Sequence, residues 1–142
     1  MNKMSTMTKA IDTELADGCF CSMDLSTDDA KARLFNAVSN PDKKLTECAN
    51  MKIALKDVYI EPQVLVRTDE NGNDTGEVEE VNRMVLIDDK GVSYTCCSKG
   101  VFNSLRRIIA LYGMPNIWEK PIVITPINVS RGNRQFLNIK LG

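Results

Sequence analysis

Histidine is absent from the 142 residues. With it go the commonest general base and the Ser/His and Cys/His nucleophile pairs. The sequence also lacks the GxGxxG, GxxxxGK[ST] and HExxH patterns, so an enzyme is not the expected class and no cofactor is implied. Long apolar runs are missing as well: no segment approaches the roughly 18 consecutive apolar residues that cross a bilayer. The N-terminus has no charged-then-apolar signal pattern, and a soluble intracellular protein is the expectation. Cysteine is sparse and odd in number, at positions 19, 21, 48, 96 and 97. A disulfide framework is therefore not expected. Cys19-x-Cys21 is not a CxxC knuckle and has no histidine to join it, so free thiols are favoured over a zinc site.

The formal net charge of −1 conceals a sorting along the chain. Met1–Asn50 holds six basic and eight acidic residues, Met51–Cys97 five and ten, and Ser98–Gly142 seven and one. The last 45 residues are thus +6, as a surface that follows a nucleic-acid backbone would be. The competing reading is a basic face that only keeps the domain soluble.

The length fits one domain with a small appendage. Met1–Thr8 is polar, without period, and is expected to be unstructured. A short helix is expected from Ser26, with Asp28 and Asp29 in its first turn, ending at Asn40-Pro41 and anchored by Leu34 and Phe35. The reading divides the chain into an N-terminal extension over 1–44 and a main domain over 45–142.

In the main domain Met51, Ile53 and Leu55 alternate with Lys52, Ala54 and Lys56, the pattern of a strand with one wet face. The phase slips at Asp57, since Val58 and Ile60 fall on the other parity, and a bulge there would bend the strand. Thr68–Glu80 holds six acids and no base and reads as an exposed hairpin connection. Met84–Ile87 is uninterrupted apolar, as in a strand covered on both faces. Asp88-Asp89-Lys90-Gly91 supplies a tight turn into Val92–Cys97. Ser98 then caps a helix whose Val101, Leu105, Ile108, Ile109 and Tyr112 share one face, with Gly113 closing it. Pro121–Val129 and Gln135–Leu141 form a last hairpin, with Pro126 marking an edge or a kink.

The expected class is all-β or α+β: a five-stranded OB-fold Greek-key barrel with one helix between strands three and four, plus the N-terminal appendage. Sequence-tolerant single-strand binding asks for cations along the phosphates and flat side chains under the bases. Arg134, Phe136 and Lys140 share one face of the final strand, and Arg131 extends the line into the turn. Lys52, Lys56, Tyr59, Arg83, Tyr94 and Lys99 complete the candidate groove. Alternatives stand beside several of these. Phe136 has a packing role under the appendage as its rival reading, and Tyr94 shares parity with Val92 and Cys96, which fits a core position. Trp118 is expected to cap the barrel end, and Arg106 and Arg107 to solvate the outer helix face.

The runs VLIDDKGVSYTCCSKGVFNSLRRIIALYG and KPIVITPINVSRGNRQFLNIKL, with the upstream LFNAVSNPDKKLTECANMKIALKDVYIEP, resemble phage-encoded single-stranded DNA-binding proteins. The resemblance implies an OB-fold protein that coats single-stranded phage DNA during replication, in the cytoplasm of the infected bacterium. It implies single-stranded DNA as the partner, beside the readings from composition of no metal and no membrane. Bacterial single-strand binders carry an acidic C-terminal tail for recruiting partners, whereas this chain stops at Lys140-Leu141-Gly142. The acidic 69–80 segment is therefore the alternative route to phage or host replication proteins, as an OB-type protein-interaction module.

Overall fold

The computed structural model describes residues 19–142, and the stretch Met1–Thr8 lies outside them. The described residues form β1 (Phe20–Cys21), α1 (Asp28–Ser39), β2 (Lys43–Lys44), β3 (Ile53–Thr68), β4 (Asp74–Asp88), β5 (Ser93–Cys96), α2 (Lys99–Tyr112), β6 (Ile122–Arg131) and β7 (Arg134–Leu141). One sheet runs β2-β5-β4-β3-β6-β7, with β1 pairing β3 off that path. All its pairings are antiparallel except β2 with β5. The mostly β structure is a curled mixed sheet, a half-barrel that fits an OB-like barrel. The expectation of five strands is corrected to seven among the described residues: β1 and β2 are two residues each, too short to show any periodicity.

The slip of phase in β3 is a real irregularity. Leu55 pairs with Asp88 and Asp57 with Ile87, so Lys56 is the extra residue. Its effect is to turn Ile53, Leu55, Val58 and Ile60 all into one core, although they lie on two parities. Met84 and Leu86 join them from β4. Val85, on the opposite face, is also fully buried, which is why Met84–Ile87 reads as an unbroken apolar run.

β3 and β4 then continue past the core as a two-stranded ribbon, paired out to Thr68 with Asp74. Thr68–Glu80 is thus not all connection. The turn proper is closed by Asp69, whose Oδ1 accepts from the amides of Asn71 and Asn73, both at 2.9 Å. Polar composition masked strand pairing here, because the backbone of β3 supplies the partners whatever the side chains. Val64, Leu65, Val66 and Val78 on the ribbon are exposed.

Asp88 organises the next turn by accepting from the amides of Lys90 and Val92, and Gly91 takes the positive φ of +85° that the turn requires. α2 buries Val101, Leu105, Ile108 and Ile109, while Tyr112, expected on that face, is half exposed. Trp118 packs on the core and donates Nε1–H to the Gly113 carbonyl at 2.9 Å. Pro126 is accommodated because β6 pairs with β3 only over Ile122–Ile124. Beyond that its outer edge needs no donor to β3.

α1 starts one residue beyond Thr27, whose Oγ1 accepts from the Ala30 amide at 3.1 Å. Its grip on the body is polar more than apolar. Arg83 donates to the Val38 carbonyl at 2.6 Å, and just beyond the helix Asp42 accepts from the Ser93 amide at 2.9 Å. The anchoring expected of Phe35 is corrected, since it is 68% exposed; Ala30 is the buried residue of the helix.

Candidate nucleic-acid interface

The β6–β7 hairpin carries the densest set of candidate residues. Its register pairs Arg131 with Arg134, Val129 with Phe136, Ile127 with Asn138 and Thr125 with Lys140. Directly paired residues of an antiparallel ladder point to the same face, so two arginines, the phenylalanine and Lys140 line one side. Leu137 and Ile139 on the other side are buried in the core. Phe136 is 45% exposed. Gly132, at φ +60°, makes the turn between Arg131 and Arg134.

α2 lies against this hairpin. Ser98 caps the helix by accepting from the Val101 amide at 3.2 Å and donates its hydroxyl to the Leu137 carbonyl at 2.7 Å. Gly100 sits so close to β7 that a Cβ would fall 2.7 Å from the same carbonyl oxygen. Farther along, the Ser104 hydroxyl donates to Asn138 Oδ1 at 2.5 Å. Between helix and hairpin a cleft of about 320 Å³ is left, whose lining includes Asn103, Ser104, Arg107, Arg131, Phe136 and Asn138. Lys99 is exposed at the start of the same helix.

Lys52 is exposed directly before β3, and the register Ile53–Ile124–Leu141 puts it at the Lys140 end of β7. The remaining expected residues lie elsewhere. Tyr94 is 6% exposed in the core, where its hydroxyl donates to Asp88 Oδ2 at 3.0 Å. Its stacking role is therefore corrected to a structural one, with burial and the Asp88 carboxylate pushing the phenol up to about 12. Arg83 is engaged with the Val38 carbonyl and with Glu61 at 3.6 Å, away from the hairpin. Tyr59 donates to Glu61 at 2.7 Å, beside Leu34 and Val38 of α1; burial first, then the Glu61 hydrogen bond, raises its phenol well above the ordinary value. Lys56 stands at the bulge, in clefts that also hold Asp57.

Of the cleft residues, Asn103 was not singled out from the sequence, and Arg107 was expected only to solvate the outer helix face. Gly100, Asn103, Ser104 and Arg107 recur at helical spacing on a second face of α2, and that polar stripe was the available signal. The five cysteines are free thiols, and burial raises Cys96 to about 11. No group of three or more metal-ligating side chains occurs among the described residues, and no helix among them is long and apolar enough to cross a membrane.

The family model for Phi29 phage single-stranded DNA-binding protein matches residues 13–142. The chain belongs to that family. The match spans α1 as well as the half-barrel, so the helix in front of the sheet lies within the matched region of this phage single-stranded DNA-binding protein family. Searches of curated proteins and of solved structures returned no match.

Proposed function

We propose that this phage protein binds single-stranded DNA without catalysis and with little regard to sequence, through the outward face of the β6–β7 hairpin. Family membership carries the substrate class. What supports the location is the exposed ring of Phe136 between Arg134 and Lys140 on one strand face, with Arg131 opposite Arg134. Cations at that spacing follow phosphates and the ring stacks a base, a combination that tolerates any sequence because every base has a π-face. The protein acts in the cytoplasm of the infected host, coating strands exposed during replication. The decisive experiment is fluorescence anisotropy with a labelled oligothymidine over a series of salt concentrations, with duplex competitor. Binding that weakens with a slope of roughly −0.7 per phosphate contact and resists the duplex is expected; no binding at low salt would defeat the proposal.

A second reading rests on the β3–β4 ribbon. Its exposed Val64, Val66 and Val78 stand beside Glu77, Glu79 and Glu80, a mixed apolar and acidic surface suited to a basic replication protein and repellent to phosphate. It adds a protein partner to DNA binding without competing for the same surface.

A further inference from the structure

We propose that the cleft between α2 and the β6–β7 hairpin seats one nucleotide of the bound strand, the base on Phe136 and its phosphate held by Arg107 and Arg131. This inference rests on the single-stranded DNA reading and makes the helix, not only the hairpin, part of the binding surface.

Charge singles this cleft out. Its lining has two arginines and no carboxylate. The larger cleft by the Asp88 turn instead sets Asp42, Asp57, Asp88 and Asp89 against Arg33, Lys56 and Lys90, and the one beside Trp118 sets Asp24, Asp57 and Glu119 against Arg33, Lys56 and Lys120. A phosphate is drawn to the first, where no carboxylate offsets the arginines as carboxylates offset the cations of the other two. The apolar cleft under α1 offers a lysine but no arginine.

Shape and hydrogen bonding agree with charge. A volume of about 320 Å³ falls at the small end of the range for ligand clefts, which suits one nucleotide rather than a run of them. The two walls are fixed in position: the missing side chain at Gly100 lets α2 touch the β7 backbone, and Ser104 is bonded to Asn138. Both acceptor bonds of the Asn138 side chain, from Ser104 and from its neighbour's amide, fall on Oδ1. Its two amide hydrogens are thereby uncommitted among the described residues. They and the exposed Asn103 are adaptable groups of the kind that meet a base edge without selecting one base.

The test is anisotropy with oligothymidine on the full chain carrying Arg107→Ala, Phe136→Ala or both, with Arg33→Ala as the control for loss of an exposed cation. Circular dichroism and thermal unfolding establish that each variant is folded. Arg107→Ala is expected to weaken binding by roughly five- to tenfold and to lower the salt slope by about 0.7. Because both side chains hold one nucleotide, the double variant should lose less than the product of the two single losses, and Arg33→Ala should match wild type. Photo-crosslinking to an oligonucleotide containing 5-iododeoxyuridine should mark the peptide that includes Phe136. Wild-type binding with an unchanged Arg107→Ala affinity and slope would overturn the seat while leaving single-strand binding in place. Absence of wild-type binding at low salt would overturn both.

Discussion

The hydroxyl of Ser98 donates to the main-chain carbonyl of Leu137 at 2.7 Å, and the same oxygen accepts from the Val101 amide. One side chain therefore caps α2 and fastens it to the strand that presents Phe136. Replacing it leaves an orphan amide and an orphan carbonyl. Ser98→Ala is expected to cost about 1–2 kcal/mol in a urea titration, with the m-value unchanged. A midpoint equal to wild type would show that water replaces both bonds without penalty.

Gly100→Ala puts helix propensity against packing. Alanine gains up to about 1 kcal/mol over glycine in a helix interior and less in the first turn, where Gly100 lies, yet its Cβ would lie 2.7 Å from the Leu137 oxygen, a backbone atom that cannot turn aside. We expect net destabilisation by about 1–2 kcal/mol and, because the helix must back away from β7, weaker oligothymidine binding. A more stable variant would mean that α2 shifts freely.

On the hairpin, Phe136→Ala should weaken single-strand affinity by about 1–3 kcal/mol, and Phe136→Trp should preserve it. Arg134→Ala and Lys140→Ala should each lower the salt slope by about 0.7 instead. The two kinds of substitution are told apart in one salt titration: the aromatic shifts the line, and the cations change its gradient.

Tyr94 gives the alkaline limb of stability a definite sign. Its phenol is pushed up to about 12, first by burial and then by its hydrogen bond to Asp88. The folded state therefore holds the proton more tightly than the unfolded chain, whose phenol titrates near 10. The associated stability is complete below about pH 10 and declines as pH rises from there toward 12. Tyr94→Phe should flatten that decline in chemical unfolding and remove a late component from the ultraviolet phenolate titration.

Replacing residues 65–77 with a tight turn should leave the core intact, since Leu65 and Val66 on β3, like Val64 and Val78 beside them, are already exposed. The expected result is an unfolding free energy within about 1 kcal/mol of wild type and oligothymidine affinity no weaker. A loss of more than about tenfold would place DNA on the ribbon, against the repulsion of its carboxylates.

Local rules made several of these features readable in advance. The bulge at Lys56 was visible as a change of parity, the Asp88–Gly91 turn as its residue types, and the core face of α2 as a periodicity. Features that depend on a distant partner were not visible. The acidic half of the ribbon is a strand because β3 pairs with it, and its composition carries no sign of that. Arg83 reads as a free cation until Glu61 and the Val38 carbonyl are brought to it. Tyr94 alternates with residues that fit either face, and only Asp88 above it decides which. For the proposed interface, the hairpin half rests on alternation that the sequence displays, whereas Asn103 and Arg107 join it only when Gly100 brings α2 onto β7.

The extra residue at Lys56 works as a frameshift within a strand. Upstream of it odd-numbered side chains enter the core, and downstream even-numbered ones do. Were Lys56 instead paired regularly, with no bulge, while Ile53 stayed opposite Ile124, every later residue of β3 would fall in the wrong phase, turning Val58 and Ile60 outward and Tyr59 and Asp57 inward. The sheet thus needs this exposed lysine to stand outside the ladder and asks nothing of its side chain, and a chain lacking it would still point Val58 and Ile60 at the core.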